Sequence, residues 1–246
     1  MEKILDTSDR VVSLESFASP LRVLIWGASG GLGGAFVTSL EGHPRVVAVH
    51  AASRSAAEPW RFTLDDESSI AAVAAAAAAA GPLDLVLVVT GELRAPEKSW
   101  RALDGRALAR AFEVNAIGPA LIAKHTLGLL RRDSKAVFAC LSAKVGSIED
   151  NRLGGWHGYR ASKAALNMLV RTLAIELRGR HPQALCLALH PGTVATELSR
   201  PFSAAIDPAR ILSPEVSAAH LLRLIDRLGP EASGQLWSWD GTRLPF

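Results

Sequence analysis

The spacing with most chemical content in this chain is Tyr159-Arg160-Ala161-Ser162-Lys163-Ala164-Ala165-Leu166-Asn167, where its one tyrosine is followed four residues later by a lysine. The segment has a helical pattern, and an i, i+4 pair shares one helix face, so phenol and ammonium are neighbours. An opposite charge beside a phenol lowers its pKa from about 10 toward neutrality, which makes a usable general acid or base. The plainer alternative is a solvated surface pair. A second spacing, Gly27-Ala28-Ser29-Gly30-Gly31-Leu32-Gly33-Gly34, stands between an apolar run and a helical pattern that starts at Ala35. Glycines in that place let the backbone approach a pyrophosphate held at a helix N-terminus. The order of Gly27, Gly31 and Gly33 is G-x-x-x-G-x-G; the commoner G-x-G-x-x-G is absent, and the competing reading is a turn that is merely tight.

The apolar run Val46 to His50 is followed by Ala51-Ala52-Ser53-Arg54, with no Asp or Glu to bind a ribose 2′-hydroxyl. Arg54 can pair with a 2′-phosphate and Ser53 can donate to it, which favours NADP(H) over NAD(H). A solvated arginine is the alternative.

Such residues need a scaffold, and the pattern supplies one. Apolar runs at Arg22 to Trp26, Val46 to His50, Leu85 to Val89, Ala136 to Leu141 and Ala184 to Leu189 alternate with helical segments, which reads as βαβ units around a parallel sheet. Runs apolar at consecutive positions expect cover on both faces, as in a doubly wound α/β fold. A last run, Gln235 to Trp239, is expected to close the sheet before the Asp240-Gly241 turn. Ala71 to Ala80 reads as a helix capped by Ser68 or Ser69 and stopped by Gly81 and Pro82. Met1 to Pro20 precedes the first strand as an extension expected to pack on the surface or stay mobile.

With 246 residues, 49% of them hydrophobic and 21% charged, the chain is expected to form one globular domain. Its 27 Lys and Arg against 24 Asp and Glu are spread without a basic block, so nothing argues for nucleic acid or an anionic membrane. Cys140 and Cys186 read as reduced core residues, without metal-ligand or disulfide spacing. No secretory signal is evident, Gly81, Pro82 and Asp84 interrupt the one alanine-rich apolar stretch, and a cytoplasmic location is expected.

From Leu21 onward the sequence resembles a classical short-chain dehydrogenase/reductase. Gly27 to Gly33 is similar to that family's cofactor turn, Tyr159-x-x-x-Lys163 to its active-site motif, and Pro191-Gly192-Thr193-Val194-Ala195-Thr196 to its loop over the nicotinamide. The resemblance implies an α/β single Rossmann domain over residues 21–246, with a mostly parallel seven-stranded sheet and helices on both faces. It implies a catalytic tetrad of Asn115, Ser142, Tyr159 and Lys163. Ser142 would hydrogen-bond the substrate oxygen, and Lys163 would also bind the nicotinamide ribose. Asn115 would hold a water in the proton path, or else bond neighbouring backbone. The cofactor residues carried over are Gly27, Ser29, Gly30, Gly31, Leu32, Gly33, Ser53, Arg54, Thr90, Gly91, Asn115, Tyr159, Lys163, Pro191, Gly192, Thr193, Val194 and Thr196. The family's helices would join a homodimer or homotetramer through segments near Asn115 and Tyr159, where Ala161, Ala164 and Ala165 permit close packing.

Several positions depart from the family pattern. Val88-Val89-Thr90-Gly91 replaces Asn-Asn-Ala-Gly, losing amides that Thr90 is expected to replace in part. Trp26 stands where a threonine usually ties the glycine turn, and Thr63 where an aspartate usually binds the adenine amine, leaving Asp65 two residues late. The interval from Ser142 to Tyr159 is long, which places Trp156 and His157 beside the substrate; His157 is either an acid or solvated. Trp156, Leu198, Phe202 and Leu93 are expected to offer apolar contact to a carbonyl compound, or to be core. Trp237 and Trp239 are expected to pack a sheet or subunit surface. Two functions follow: an NADPH-dependent reductase of an aldehyde or ketone, reversible on the alcohol, or an NAD(P)-binding regulatory protein. The second is prompted by the altered Val88-Val89-Thr90 segment and by Val145-Gly146-Ser147-Ile148 through Asn151-Arg152-Leu153-Gly154-Gly155-Trp156, which resembles the C-factor-like branch, a group of both reductases and cell-signalling proteins. A nucleotide-sugar epimerase ranks last, because only about 50 residues follow Thr196, too few for a further substrate domain.

Overall fold

The structure is a computed structural model and describes residues 12–94, 96–200 and 206–246. Its strands form where the apolar runs predict them, with ends that shift by one or two residues. They are β1 (Leu21–Trp26), β2 (Val46–Ala52), β3 (Leu85–Val88), β4 (Ala136–Leu141), β5 (Ala184–His190), β8 (Leu236–Ser238) and β9 (Arg243–Leu244). Among the described residues these make one seven-stranded sheet in the order β2-β1-β3-β4-β5-β8-β9, parallel except for the β8–β9 pair. Two expectations are corrected at the ends. β2 runs to Ala52, two residues past His50. The run at residues 235–239 does not close the sheet, because the Asp240-Gly241 turn returns β9 antiparallel along it. A two-residue strand is too short to show a period in the sequence.

Alternation along each strand sends side chains to two cores. Val23, Ile25, Leu85, Leu87, Val137, Ala139, Leu185 and Leu187 meet α1 (Gly31–Leu40) and α6 (Pro214–Arg227). Leu24, Trp26, Val86, Val88, Phe138 and Cys186 meet α2 (Glu67–Ala79), α4 (Gly118–Thr126) and α5 (His157–Arg178). Cys140 and Cys186 are free and buried, as read from the sequence. The helix α2 begins at Glu67, earlier than expected, and its cap is Asp66, whose carboxylate accepts the Ser68 N–H at 2.9 Å. Ser69 instead bonds the Thr63 backbone.

Between β2 and α2 the chain makes no helical crossover. Ser53 and Arg61 form an isolated parallel bridge, and aromatic side chains cover this end of the sheet: Trp60 stacks on His50 at 4.5 Å, and Phe62 meets Trp26 edge-on at 4.8 Å. The Trp26 indole N–H is buried without a hydrogen-bond partner.

The segment before β1, as far as it is described, packs on the surface of the domain, with Ser13, Glu15, Ser16 and residues 18–20 exposed, and is anchored there by three apolar side chains. Val12, Leu14 and Phe17 are buried in the α1/α6 core. Asp226 on α6 accepts bonds from Ser13 Oγ (2.6 Å), Ser16 N (2.9 Å) and Ser16 Oγ (2.7 Å). Lys135 donates to Ser16 Oγ and to the carbonyls of Ile225, Asp226 and Leu228 that end α6. Three well-placed apolar side chains anchor it, a pattern too sparse to register as an element. Among the described residues no helix is long and apolar enough to cross a membrane.

Candidate active site

The order of the sheet reverses at β1, since β2 lies to one side and β3 to the other. The crevice at the carboxyl ends of these strands is where open α/β sheets bind ligands. The glycine turn lies there. Gly27 has φ +91°, and a Cβ on it would lie 3.1 Å from Thr90 N; its N–H donates to Ala52 O at 2.9 Å. A Cβ on Gly33 would stand 2.2 Å from Gly27 O, an impossible contact. Gly30 caps α1 with no side-chain bond to the first helical amides, and Ser29 and Gly30 are exposed while Leu32 is buried. Bare helix-end amides behind a cradle that only glycine fits match the needs of a pyrophosphate.

The second wall comes from the loop after β5. Thr193–Val194 (β6) pairs in parallel with Ile211–Leu212 (β7). Ser217 Oγ on α6 donates to Pro191 O at 2.8 Å, and a Cβ on Gly192 would lie 2.9 Å from the Trp239 indole. Thr196 reaches the glycine turn, its Cγ2 only 3.0 Å from where a Gly31 Cβ would be. Trp239 and Trp237 both pack against the α1/α6 core, so Trp239 braces this loop from the sheet.

Tyr159 and Lys163 project from the first turns of α5. Lys163 is buried, donates to Leu141 O at 2.8 Å, and lies 5.8 Å from the Tyr159 ring centre. The expected lowering of the phenol pKa is not what the geometry gives: burial pushes Tyr159 up to about 12 and Lys163 down to about 8. Desolvation penalises the charged form of each, and the ammonium is directed at a backbone carbonyl.

Asn115 is fully buried in a π turn, Glu113–Ile117, between α3 (Gly105–Phe112) and α4. Its Oδ1 accepts from Glu92 N, and its Nδ2 donates to Glu92 O (2.9 Å) and Ser162 Oγ (3.1 Å). The Asn115 amide thus bonds distant partners rather than its neighbouring backbone, and it fixes the strand end beyond β3 to α5. A Cβ on Gly91 would lie 3.6 Å from Asn115 Oδ1, 3.8 Å from Lys163 Nζ and 4.0 Å from Leu198 Cδ1. Gly91 is thus the floor on which asparagine, lysine and Leu198 converge. Thr90 Oγ1 is buried without a partner, so it does not replace the missing amides.

Ser142, at the end of β4, is buried and donates to Asn167 Oδ1 at 2.6 Å. Trp156 caps α5 in the left-handed region at φ +54°, and its ring lies 6.3 Å from that of Tyr159. A cavity of about 40 Å³ borders Tyr159 and includes Leu93, Pro96, Glu97 and Ala111 in its lining. Ser53 is buried, and Arg54 is exposed just past β2. Asp65 is engaged by Arg110 at 2.8 Å. Phe202 lies outside the described residues.

Two residues near the site were not singled out in the sequence. Glu97 accepts Trp156 N on its carbonyl (2.7 Å), and its carboxylate lies 3.3 Å from Gly158 N, at the positive end of α5. Nothing local marks it, because its partners are some 60 residues away. Asn167 continues the 159, 163 spacing by four more residues, and extending that helix face would have found it.

The model of the short chain dehydrogenase family matches residues 22–207. The chain belongs to that family. It is 35% identical over 170 residues to the C-signal of Myxococcus xanthus, covering 68% of this chain and 94% of that one. It is 33% identical over 196 residues to 1-hydroxy-2-glutathionyl-2-methyl-3-butene dehydrogenase of Rhodococcus sp. (strain AD45), covering 80% and 83%. The NADPH-bound carbonyl reductase from chicken fatty liver superimposes with a TM-score of 0.78 over 94% of this chain and 97% of its own, at 24% identity, a likeness of fold. The seven-stranded sheet is accordingly the Rossmann-type sheet of this oxidoreductase family.

Proposed function

We propose that this short-chain dehydrogenase is an NADP(H)-dependent oxidoreductase that interconverts a ketone or aldehyde and its alcohol, with Tyr159 as the proton donor. The observation that carries this reading is the convergence of Asn115, Lys163 and Leu198 on Gly91, with the Lys163 ammonium bonded to Leu141 O at the strand end that precedes Ser142, beside a turn that only glycine can make. Bound NADPH would supply the hydride from its nicotinamide C4, with its pyrophosphate on Gly27 to Gly33 and the α1 amides. Arg54 and Ser53, with no carboxylate among residues 51–54, suit a 2′-phosphate. The loop from Pro191 to Thr196, with Thr90 and Gly91, would flank the nicotinamide.

A phenol held up to about 12 keeps its proton at neutral pH, which suits an acid that gives it to a developing alkoxide. Lys163, mostly charged at pH 7, would bind the nicotinamide ribose and favour the phenolate left behind. Ser142 would meet the same substrate oxygen. Leu93, Trp156 and Leu198 would contact an apolar substrate body; Phe202 belongs to the same expectation. We further read the cofactor and substrate sites as one domain, residues 21–246, in a cytoplasmic protein without nucleic-acid partners. Ala161, Met168 and Ile175 form an exposed stripe along α5, with Ile117 exposed at the π turn, and this face would join a homodimer or homotetramer.

The likeness to a protein named C-signal supports a second reading, an NAD(P)-binding regulatory protein with little turnover. Titration with NADPH and NADH, then NADPH oxidation with a carbonyl panel, separates the two in wild type and Tyr159→Phe. Turnover that collapses in Tyr159→Phe while NADPH still binds is expected. Tight NADPH binding with no turnover on any substrate would decide for the regulatory protein.

A further inference from the structure

The helix that presents Tyr159 is poorly started by its own sequence. Tyr159 is the third residue of α5, after His157 and Gly158, so fraying of the first turn carries the phenol with it. Glycine is a weak helix former, and Trp156 at the cap makes no side-chain bond to the first amides. The approach to the helix is strained as well. Gly154, Gly155 and Trp156 are all left-handed, at φ +63°, +65° and +54°. A tryptophan keeps that conformation only where its surroundings impose it.

Glu97 supplies what the helix start lacks. Its carbonyl accepts Trp156 N at 2.7 Å, and its two carboxylate oxygens each lie 3.3 Å from Gly158 N. One residue of a distant loop thus grips the chain on both sides of His157. The carboxylate also meets the positive end of the helix, where negative charge is favoured. The contact needs the glycine: a Cβ on Gly158 would lie 3.1 Å from Glu97 Oε1 and displace it. From the next position along α5, Arg160 donates to Gly155 O at 3.1 Å and Val145 O at 3.3 Å, which ties down the other side of the same approach.

We propose that Glu97 is a positioning residue that holds the first turn of α5 so that the Tyr159 hydroxyl stays aimed at the reacting oxygen. This rests on the reading of Tyr159 as proton donor. Glu97 acts through Gly158 and exchanges no proton with the substrate. It also lines the cavity beside Tyr159, and direct contact with substrate is the rival role that Glu97→Gln separates.

Tyr159 is the chain's one tyrosine, so a ¹³C-tyrosine label reports a single ring by NMR. In Glu97→Ala that signal is expected to shift and broaden, and the Gly158 and Arg160 amides to exchange about three- to thirtyfold faster, the loss of one helix cap. With a carbonyl that the wild type reduces, kcat is expected to fall about three- to thirtyfold while KM and the Kd for NADPH stay. Glu97→Gln keeps an oxygen for the Gly158 N–H and is expected to recover kcat to within about threefold of wild type. Gly158→Ala breaks the same contact from the other side while favouring the helix, and serves should Glu97→Ala not fold; the two together are expected to cost no more than one. In a Tyr159→Phe background Glu97→Ala is expected to change nothing. An unmoved ring signal, or an unchanged kcat, in folded Glu97→Ala or Gly158→Ala overturns the proposal. So does Glu97→Gln as slow as Glu97→Ala with a raised KM, which would mark contact with substrate, or a loss that persists without the Tyr159 hydroxyl. If the wild type reduces no carbonyl with NADPH, the carbonyl/alcohol reading fails by itself, and the ring signal and amide exchange still decide whether Glu97 holds the turn.

Discussion

Replacing Gly33 by alanine tests the cofactor cradle at the point where its geometry leaves least room. The added Cβ would stand 2.2 Å from Gly27 O and 3.0 Å from Ala28 Cα, while real Cβ atoms do not come within 3.0 Å. The turn must therefore open by close to an ångström. Gly27 cannot retreat freely, because its N–H is bonded to Ala52 O and the space a Cβ would take on it is already bounded by Val89 and Thr90 backbone at 3.1–3.2 Å. Overpacking of this kind costs about 1–3 kcal/mol. In a chain of this length that is a fall in Tm of about 3–10 °C. The amides facing the pyrophosphate move with the turn, and losing one bond to a charged group, worth about 1.5–3 kcal/mol, raises the Kd for NADPH roughly ten- to hundredfold. Fluorescence titration with NADPH and thermal unfolding, run in parallel, read both numbers. Gly34→Ala is the control: its Cβ would meet Ala28 O at an ordinary 3.7 Å, and a helical alanine there stabilises by about 0.5–1 kcal/mol. If Gly33→Ala binds NADPH as tightly as Gly34→Ala and melts at the same temperature, the cradle does not work as described.

Two further outcomes follow from buried charge. The pH profile of NADPH-dependent reduction is expected to be flat to about pH 8 and to fall above it, because Lys163, held down to about 8, loses its charge there while Tyr159 keeps its proton; a limb centred above pH 10 would assign the loss to Tyr159 and contradict this. Lys135→Met strips the ammonium from the three carbonyls that end α6 and from Ser16, and is expected to cost about 1.5–3 kcal/mol by thermal unfolding at pH 7. Burial holds Lys135 down to about 8, so between pH 8 and the usual lysine range the unfolded chain binds more protons than the folded one. The contribution of Lys135 to stability therefore rises with pH across that window. The Met variant should lose that slope, and retention of it would place the titration elsewhere.

The sheet was legible in the sequence because its central strands are buried on both faces and so read as unbroken apolar runs, as at Leu85 to Val88 and Ala136 to Leu141. The tyrosine–lysine pair was legible as a spacing. Its electrostatics were not, since i, i+4 placement says that two groups are close but not how much water surrounds them, and at Tyr159 desolvation wins. The Asn115 and Ser142 side chains were named, but what each bonds depends on partners 23 to 47 residues away. Glu97 acts through Trp156 and Gly158 and leaves no local mark. The antiparallel β9 was missed because two residues carry no period, and the anchoring of the first described segment because Val12, Leu14 and Phe17 belong to no regular element.

That segment has a bearing on how the chain acquires its shape. Ser13 and Ser16 are fastened to Asp226 across more than 200 residues, and Phe17 lies in a core that α6 completes. During synthesis from the N-terminus these residues leave the ribosome early and find no partner until α6 follows. The βα units between them can pair locally beforehand, whereas this clasp depends on contacts of the longest sequence separation and closes late. A polypeptide arrested before α6 would therefore present Val12, Leu14 and Phe17 bare beside an uncovered face of α1, a sticky patch for chaperones that vanishes once α6 docks.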